Sequence, residues 1–259
     1  MTLLKDKIIF ISGASSGIGA ACAKQFARLG AKLILCARTA NALHSLSEQL
    51  KKEYAVESYC FSLDVRDQNA VQKAIQTLPA PWQAIDLLIN NAGLAAGLDP
   101  IQQGSIQDWE DMIDTNVKGV LYLTKAILPQ MIKRNTGHII NMGSIAGHET
   151  YPRGAVYCAT KAAVDVLSDG LRMDLLGTQI RVSTVDPGMV KTNFSQVRFK
   201  GDTQRADEVY KGVEALTADD IADTIIYCAT RPAHVNISHI IIMPTDQASA
   251  TLVSRKEKS

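Results

Sequence analysis

The chain has 259 residues, 46% of them hydrophobic and 20% charged, with 17 Gly and 8 Pro, which excludes a disordered protein and describes a globular one with a sizeable core. Twenty-seven Lys and Arg against 26 Asp and Glu leave a net charge of +1, too little excess to hold a nucleic-acid backbone or an anionic membrane surface. Length alone admits one large α/β domain or two small ones.

Taken in chain order, short β-branched runs alternate with longer stretches of helical period, the texture of βαβ units on a parallel sheet. The spacing predicts strands over 8–11, 32–37, 56–61 and 85–90, with helices over 17–29, 41–53 and 67–77 between them. Gly30 stands where a helix favours a left-handed cap, and Pro79 and Pro81 break the chain before the fourth strand. A long helix ending near Arg134, a strand over 138–142, a helix over 155–176 and a strand over 180–185 continue the rhythm. Residues 187–215, with Pro187, Gly188 and Gly201, read as a loop or partly helical lid. A helix over 217–229 and a strand over 237–242 close a seven-stranded, doubly wound α/β fold. With no repeat or linker, residues 1–253 are expected to form a single domain, followed by a polar tail over 254–259.

The first half carries a glycine turn. Gly13, Gly17 and Gly19 in ISGASSGIG fall between the first strand and first helix, where glycine lets the backbone turn tightly and approach a pyrophosphate held by the helix N-terminus. With 17 Gly in 259 residues this spacing arises by chance about 0.07 times, so its placement between strand and helix is informative. In the second half Tyr157 and Lys161 lie four residues apart in YCATK, on one face of a helix. A phenol with an ordinary pKa near 10 is a poor acid or base at neutral pH, and a neighbouring ammonium favours its phenolate. In isolation the pair also reads as a surface tyrosine beside a solvated lysine. Ser144, just beyond a strand end, strengthens the chemical reading.

Together SGASSGIG, NNAG at 90–93, Asn116 in DTNVKG, Ser144 in NMGS, YCATK and PGMVKT at 187–192 resemble the short-chain dehydrogenase/reductase family over essentially the whole chain. One departure is Ser12, where the family usually has threonine; the hydroxyl is kept. The resemblance implies a Rossmann-type fold and a nicotinamide-dependent oxidoreductase whose catalytic residues are Asn116, Ser144, Tyr157 and Lys161. Tyr157 would pass the proton to or from the substrate oxygen, and Ser144 would hydrogen-bond that oxygen. Lys161 would bind the nicotinamide ribose and lower the tyrosine pKa, and Asn116 would hold a water linking the lysine to solvent.

The cofactor is expected to be NADP(H). Arg38 follows the second strand where an NAD enzyme would normally place an acid for the ribose 2′-hydroxyl, and an arginine fork suits a 2′-phosphate; otherwise Arg38 is a solvated loop residue. The resemblance adds Ser12, Gly13, Ser15, Ser16, Gly17, Ile18 and Gly19 around the phosphates, and Asp64 and Val65 beside the adenine. Asn91, Ala92 and Gly93 follow, then Tyr157 and Lys161, then Pro187, Gly188, Val190 and Thr192.

Within the family, VRFKGD at 197–202, HVNIS, IIIMPTDQAS and DWEDMIDTN resemble the branch of NADP-dependent 3-hydroxy acid and serine dehydrogenases. The expected substrate is a small hydroxy acid such as serine, allo-threonine or 3-hydroxypropionate, or the matching semialdehyde. Ser144 and Tyr157 would contact it, and Arg198 is the expected carboxylate anchor, with Lys200 and Arg153 nearby. Alternatives are a bulkier ketone, steroid or 3-ketoacyl substrate, or a dinucleotide-binding regulatory protein without catalysis.

The five cysteines, Cys22, Cys36, Cys60, Cys158 and Cys228, contain no C-x-x-C pair and read as core residues rather than disulfides or zinc ligands. His44, His138, His148, His234 and His239 show no metal-ligand spacing, so no metal is expected. The N-terminal apolar run is interrupted by Lys5, Asp6 and Lys7, too short for a secretory leader, and no stretch reaches the ~18 apolar residues of a membrane span. A cytoplasmic homotetramer with no nucleic-acid or membrane partner is expected.

Overall fold

Buried β-branched runs set the architecture of the computed structural model, which describes residues 4–256. The strands β1 (Ile8–Ser12), β2 (Lys32–Ala37), β3 (Ser58–Ser62), β4 (Leu87–Asn90), β5 (Gly137–Met142), β6 (Ile180–Pro187) and β7 (His239–Ile242) form one sheet in the order β3-β2-β1-β4-β5-β6-β7. Every pairing is parallel, and the strand order reverses beside β1, where doubly wound sheets open a crevice at their carboxyl ends.

Successive strand residues face opposite layers. Ile9, Ile11, Leu33 and Leu35 pack with α1 (Gly17–Arg28), α2 (Ala40–Tyr54) and α10 (Ala218–Ala229). Ile8, Phe10 and Ile34 pack on the other face with α3 (Gln68–Gln76) and α5 (Gly119–Arg134). The helix α7 (Ala155–Asp174) covers β5 and β6 on that same face. A buried polar chain fixes its position: the Asn90 amide donates to Asn141 Oδ1 at 2.8 Å, and the Asn141 amide donates to Ser168 Oγ on α7 at 2.8 Å.

Two expectations need revision. The long helix ending at Arg134 is composite, with α4 (Ile106–Ile113) and α5 joined by a π-helical turn over Asp114–Lys118. That extra residue per turn is what positions Asn116. Three further short helices arise where no helical period was visible: 3₁₀ turns over Ala80–Trp82, which follows Pro79 and contains Pro81, and over Ile101–Gln103, and α6 (Ile145–His148), capped by Ser144.

The segment after β6 contains α8 (Phe194–Arg198) and α9 (Thr203–Glu208). Residues 254–256 of the polar tail dock beside them: the Ser254 amide donates to Asp246 O, the Lys256 amide to Gly212 O, and the Arg255 guanidinium to Val209 O and Lys211 O. The rest of that tail lies outside the described residues. All five cysteines are free. Among the described residues no helix is long and apolar enough to cross a membrane.

His138 on β5 is buried, with Nε2 at 2.8 Å from Ser183 Oγ. Burial, reinforced by Arg181, holds its pKa well below the ordinary 6.5. The unfolded chain therefore binds a proton near pH 6.5 that the folded protein refuses, so this residue's contribution to stability falls as pH drops below that value. Between pH 6.5 and 5.5 the loss should be about 1 kcal/mol. Urea denaturation of wild type and His138→Leu at both pH values checks this: the variant should lose about 1 kcal/mol less than wild type.

Candidate active site

The β1–α1 turn is built by close backbone approach. Gly13 has φ +65, and a Cβ there would lie 2.9 Å from the Ala92 Cα; Gly17 has φ +53. A Cβ on Gly19 would strike the Gly13 carbonyl. Ser12 staples this turn to the loop after β4: its hydroxyl donates to Ile89 O and accepts from the Asn91 and Ala92 amides at 3.1 and 3.0 Å. Asn91 completes the staple through Nδ2, which donates to Ser12 O and Gly13 O.

A cleft of about 670 Å³ opens above the staple. Ser15, Ser16, Gly17 and Ile18 form one wall at the start of α1, whose N-cap Ser16 makes no side-chain cap. The first-turn amides are thus available to an anion. Arg38 stands exposed on the cleft and makes no ion pair among the described residues. Two glycines with no room for a side chain, a third at positive φ, an uncapped helix start and an unpaired guanidinium among the described residues fit the phosphates of a dinucleotide.

Asp64 and Val65 also line the cleft, but the Asp64 carboxylate is engaged. Arg66 donates to it from Nε and Nη2, at 3.0 and 2.7 Å, and also reaches Asp111 at 2.6 Å. These Arg66 bonds hold the Asp64 carboxyl below its ordinary range. Asn91, Ala92 and Gly93 form the floor, and Pro187, Gly188, Val190 and Thr192 the opposite wall. Ser12, Gly19 and Asn116 lie behind the lining and support it.

At the deep end α7 presents Tyr157 and Lys161 one turn apart, both buried, with Lys161 Nζ 5.9 Å from the tyrosine ring centroid. The ammonium donates to Met142 O at 2.7 Å. Burial pulls the Lys161 pKa down to about 8, while the Asp186 and Asp165 carboxylates act in the opposite sense. Burial pushes the Tyr157 phenol far above its ordinary range, reinforced by Tyr151 and opposed by the Ser144 hydroxyl and the Arg198 charge. Ser144 caps α6 by accepting from the Ala146 amide at 3.1 Å. A phenol and a hydroxyl converging in a desolvated pocket can hold one substrate oxygen and move a proton at it.

Asn116 sits in the π-helical turn with its side chain saturated: Oδ1 accepts from the Leu94 amide at 2.9 Å, and Nδ2 donates to Leu94 O and Thr160 Oγ1 at 2.8 and 3.0 Å. It thereby locks the loop after β4 to α7 next to Lys161. Of the expected substrate cations, only Arg198 lines this cleft. Its Nε donates to Gly97 O, and its guanidinium lies 5.3 Å from the Tyr151 ring centroid and 5.8 Å from that of Tyr157. Lys200 is paired with Asp108 at 2.9 Å, and Arg153 borders a neighbouring cavity.

Sequence reasoning missed Tyr151, Phe194 and Arg255, all on the cleft. Phe194 packs 5.7 Å from the Tyr157 ring, and Tyr151 stacks under Arg198. Tyr151, six residues before Tyr157, offered a weak signal; Arg255, in a polar tail, offered none.

The chain matches the short chain dehydrogenase family over residues 7–203. It belongs to the short-chain dehydrogenases. This dehydrogenase is 45% identical over 246 residues to the NADP-dependent 3-hydroxy acid dehydrogenase of Escherichia coli strain K12, covering 95% of this chain and 98% of that one. It is 44% identical to the NADP-dependent 3-hydroxy acid dehydrogenase of Schizosaccharomyces pombe, over 99% of this chain and all of the other. Among solved structures, the closed form of a serine dehydrogenase complexed with NADP+ superposes with a TM-score of 0.90 at 44% identity, covering 96% of this chain and 100% of that one.

Replacing Asn116 with alanine leaves the buried Leu94 amide and carbonyl and the Thr160 hydroxyl short of partners. Asn116→Ala should cost about 1–3 kcal/mol of stability, read from the urea midpoint; a midpoint equal to wild type would contradict this role.

Proposed function

We propose that this dehydrogenase uses NADP(H) to interconvert a small 3-hydroxy acid, of the serine, allo-threonine or 3-hydroxypropionate kind, and its carbonyl partner. The observation that carries the acid reading is Arg198, whose guanidinium lies 5.8 Å from the Tyr157 ring centroid, within reach of a carboxylate on a substrate whose hydroxyl meets that tyrosine. The names of the E. coli and S. pombe relatives support the substrate class. Arg38, exposed and without an ion pair among the described residues, supports the 2′-phosphate form of the cofactor.

When bound, the nicotinamide accepts or supplies the hydride. Ser144 and Tyr157 hold the substrate oxygen from two sides; Tyr157 takes its proton as the phenolate during oxidation and, as the phenol, returns it during reduction. Lys161, on the same face of α7, places positive charge 5.9 Å from that ring centroid, which acts against the rise that burial imposes on the phenol. Asn116 keeps the Leu94 loop against α7 so that the lysine stays beside the tyrosine. The 187–215 segment acts as a lid over the substrate end, and residues 1–253 form one catalytic domain.

A cytoplasmic homotetramer is also proposed. Val166, Met173 and Leu176 on or just beyond α7 are 71, 75 and 90% exposed, and Leu121 and Ile132 on α5 are exposed as well; such apolar helix faces suit packing against further copies.

An assay of NADP reduction with L-serine, L-allo-threonine, 3-hydroxypropionate and a panel of neutral alcohols tests the activity. Turnover of the acids is expected, with kcat reduced at least ~100-fold in Tyr157→Phe while cofactor binding persists. Arg38→Asp should raise KM for NADP and not for NAD, and Arg198→Ala should raise KM for acids and not for neutral alcohols. Cofactor binding with no turnover of any acid would overturn the reading. Light scattering should give a mass of four 28.0 kDa chains; a monomer would contradict the assembly.

A further inference from the structure

Four side chains outside the catalytic set converge beside the Ser144 helix. His148 ends α6, Asp165 lies one turn beyond Lys161 on α7, Asp186 is near the carboxyl end of β6, and His239 opens β7. One ligand atom from each lies within 4.8 Å of all the others. They come from four elements and span 92 residues of sequence, so no local spacing could reveal them.

Asp186 is fully buried and Asp165 is 9% exposed. Both carboxylate oxygens of Asp165 and Oδ1 of Asp186 have no hydrogen-bond partner among the described residues. Two adjacent buried carboxylates with unsatisfied oxygens demand a compensating positive charge. Lys161, whose ammonium donates to Met142 O, supplies one positive charge against these two carboxylates, and Arg172 is engaged with Val182 O and Asp169. The atoms that do face the carboxylates are imidazole nitrogens. His148 Nε2 is 3.0 Å from Asp186 Oδ2 and 3.6 Å from Asp165 Oδ2, and His239 Nδ1 is 3.6 Å from Asp186 Oδ2.

We propose that His148, Asp165, Asp186 and His239 bind one divalent transition-metal ion of the zinc class. Zinc bonds to nitrogen and oxygen of about 2.0–2.2 Å give a tetrahedron with edges of roughly 3.4 Å; three of the His–Asp separations are already 3.0 to 3.6 Å and the whole set lies within 4.8 Å, so binding requires a small contraction. Two imidazoles with two carboxylates favour zinc over magnesium or calcium, which prefer all-oxygen sites. Outer partners are in place too. His239 Nε2 lies 2.9 Å from Asp169 Oδ1, an arrangement that assigns the proton to Nε2 and turns the lone pair of Nδ1 inward. Thr184 Oγ1, 2.6 Å from Nδ1, is also 3.5 Å from Asp186 Oδ2 and can turn to that oxygen when the ion binds.

The ion would tie α6 to β6, β7 and α7. Because Ser144 caps α6, the clamp would brace the hydroxyl that faces Tyr157. Solvent reaches the site past the histidines, whose side chains are each 29% exposed.

The test is titration of chelator-treated full-length protein with Zn2+ by calorimetry, followed by Co2+ absorption and thermal melting. One Zn2+ per chain is expected, with a Tm rise of about 4 °C or more at saturating Zn2+ and none with Mg2+. Co2+ should develop the visible bands of a four-coordinate site. His148→Ala and His239→Ala, each removing a partly exposed side chain, should weaken Zn2+ at least about ten-fold and abolish the Co2+ bands. Failure of wild type with native circular dichroism to bind Zn2+ would overturn the proposal, as would stoichiometric binding unchanged in both variants.

Discussion

A buried ammonium must find partners, and satisfying Lys161 organises the catalytic half of this dehydrogenase. Its Nζ is bonded to Met142 O at the end of β5 and feels the carboxylates of Asp165 and Asp186. Packing around it is close: a Cβ on Gly93 would press on Asn116 Oδ1 at 3.3 Å and touch Lys161 Nζ at 3.6 Å. The glycine of NNAG, the asparagine of the π-helical turn and the lysine of YCATK are therefore parts of one packing solution. Tyr157 inherits its place from that solution, since it rides one turn earlier on the same helix.

The cofactor half depends on an equally local device. Ser12 serves three backbone groups with one hydroxyl, and Asn91 returns two bonds to the glycine turn. These bonds join the ends of β1 and β4 across the strand-order reversal, so the glycines face the loop that leads to Gly93. Both halves of the chain thus contribute to one cleft, and the near-neutral net charge hides a local concentration of positive potential at Arg38 and the α1 N-terminus.

Strand positions were legible because each is a short apolar run bounded by turns, and the helices were legible from their period. The composite α4–α5 helix was not, since a single π-helical turn leaves the hydrophobic period almost unchanged while shifting the register of Asn116. Glycine spacing and the Tyr157–Lys161 pair pointed to the cleft because each requires only local sequence. Phe194 and Arg255 reach it through tertiary packing of the lid and tail, for which short-range pattern carries no signal, and Tyr151 reaches it from the turn before α7. The meeting of His148, Asp165, Asp186 and His239 is the extreme case, since it exists only once four elements are assembled.

Titration of Lys161 itself tests the account most directly. Carbon-13 NMR of metal-free protein labelled at lysine Cε, with the resonance assigned by its loss in Lys161→Met, reports the charge on this one side chain as pH is raised. An ammonium held in a buried site and supported only by Met142 O and two nearby carboxylates should titrate at about 8. A step at the ordinary value of 10.5 would show a solvated lysine and contradict the buried packing on which the catalytic arrangement rests.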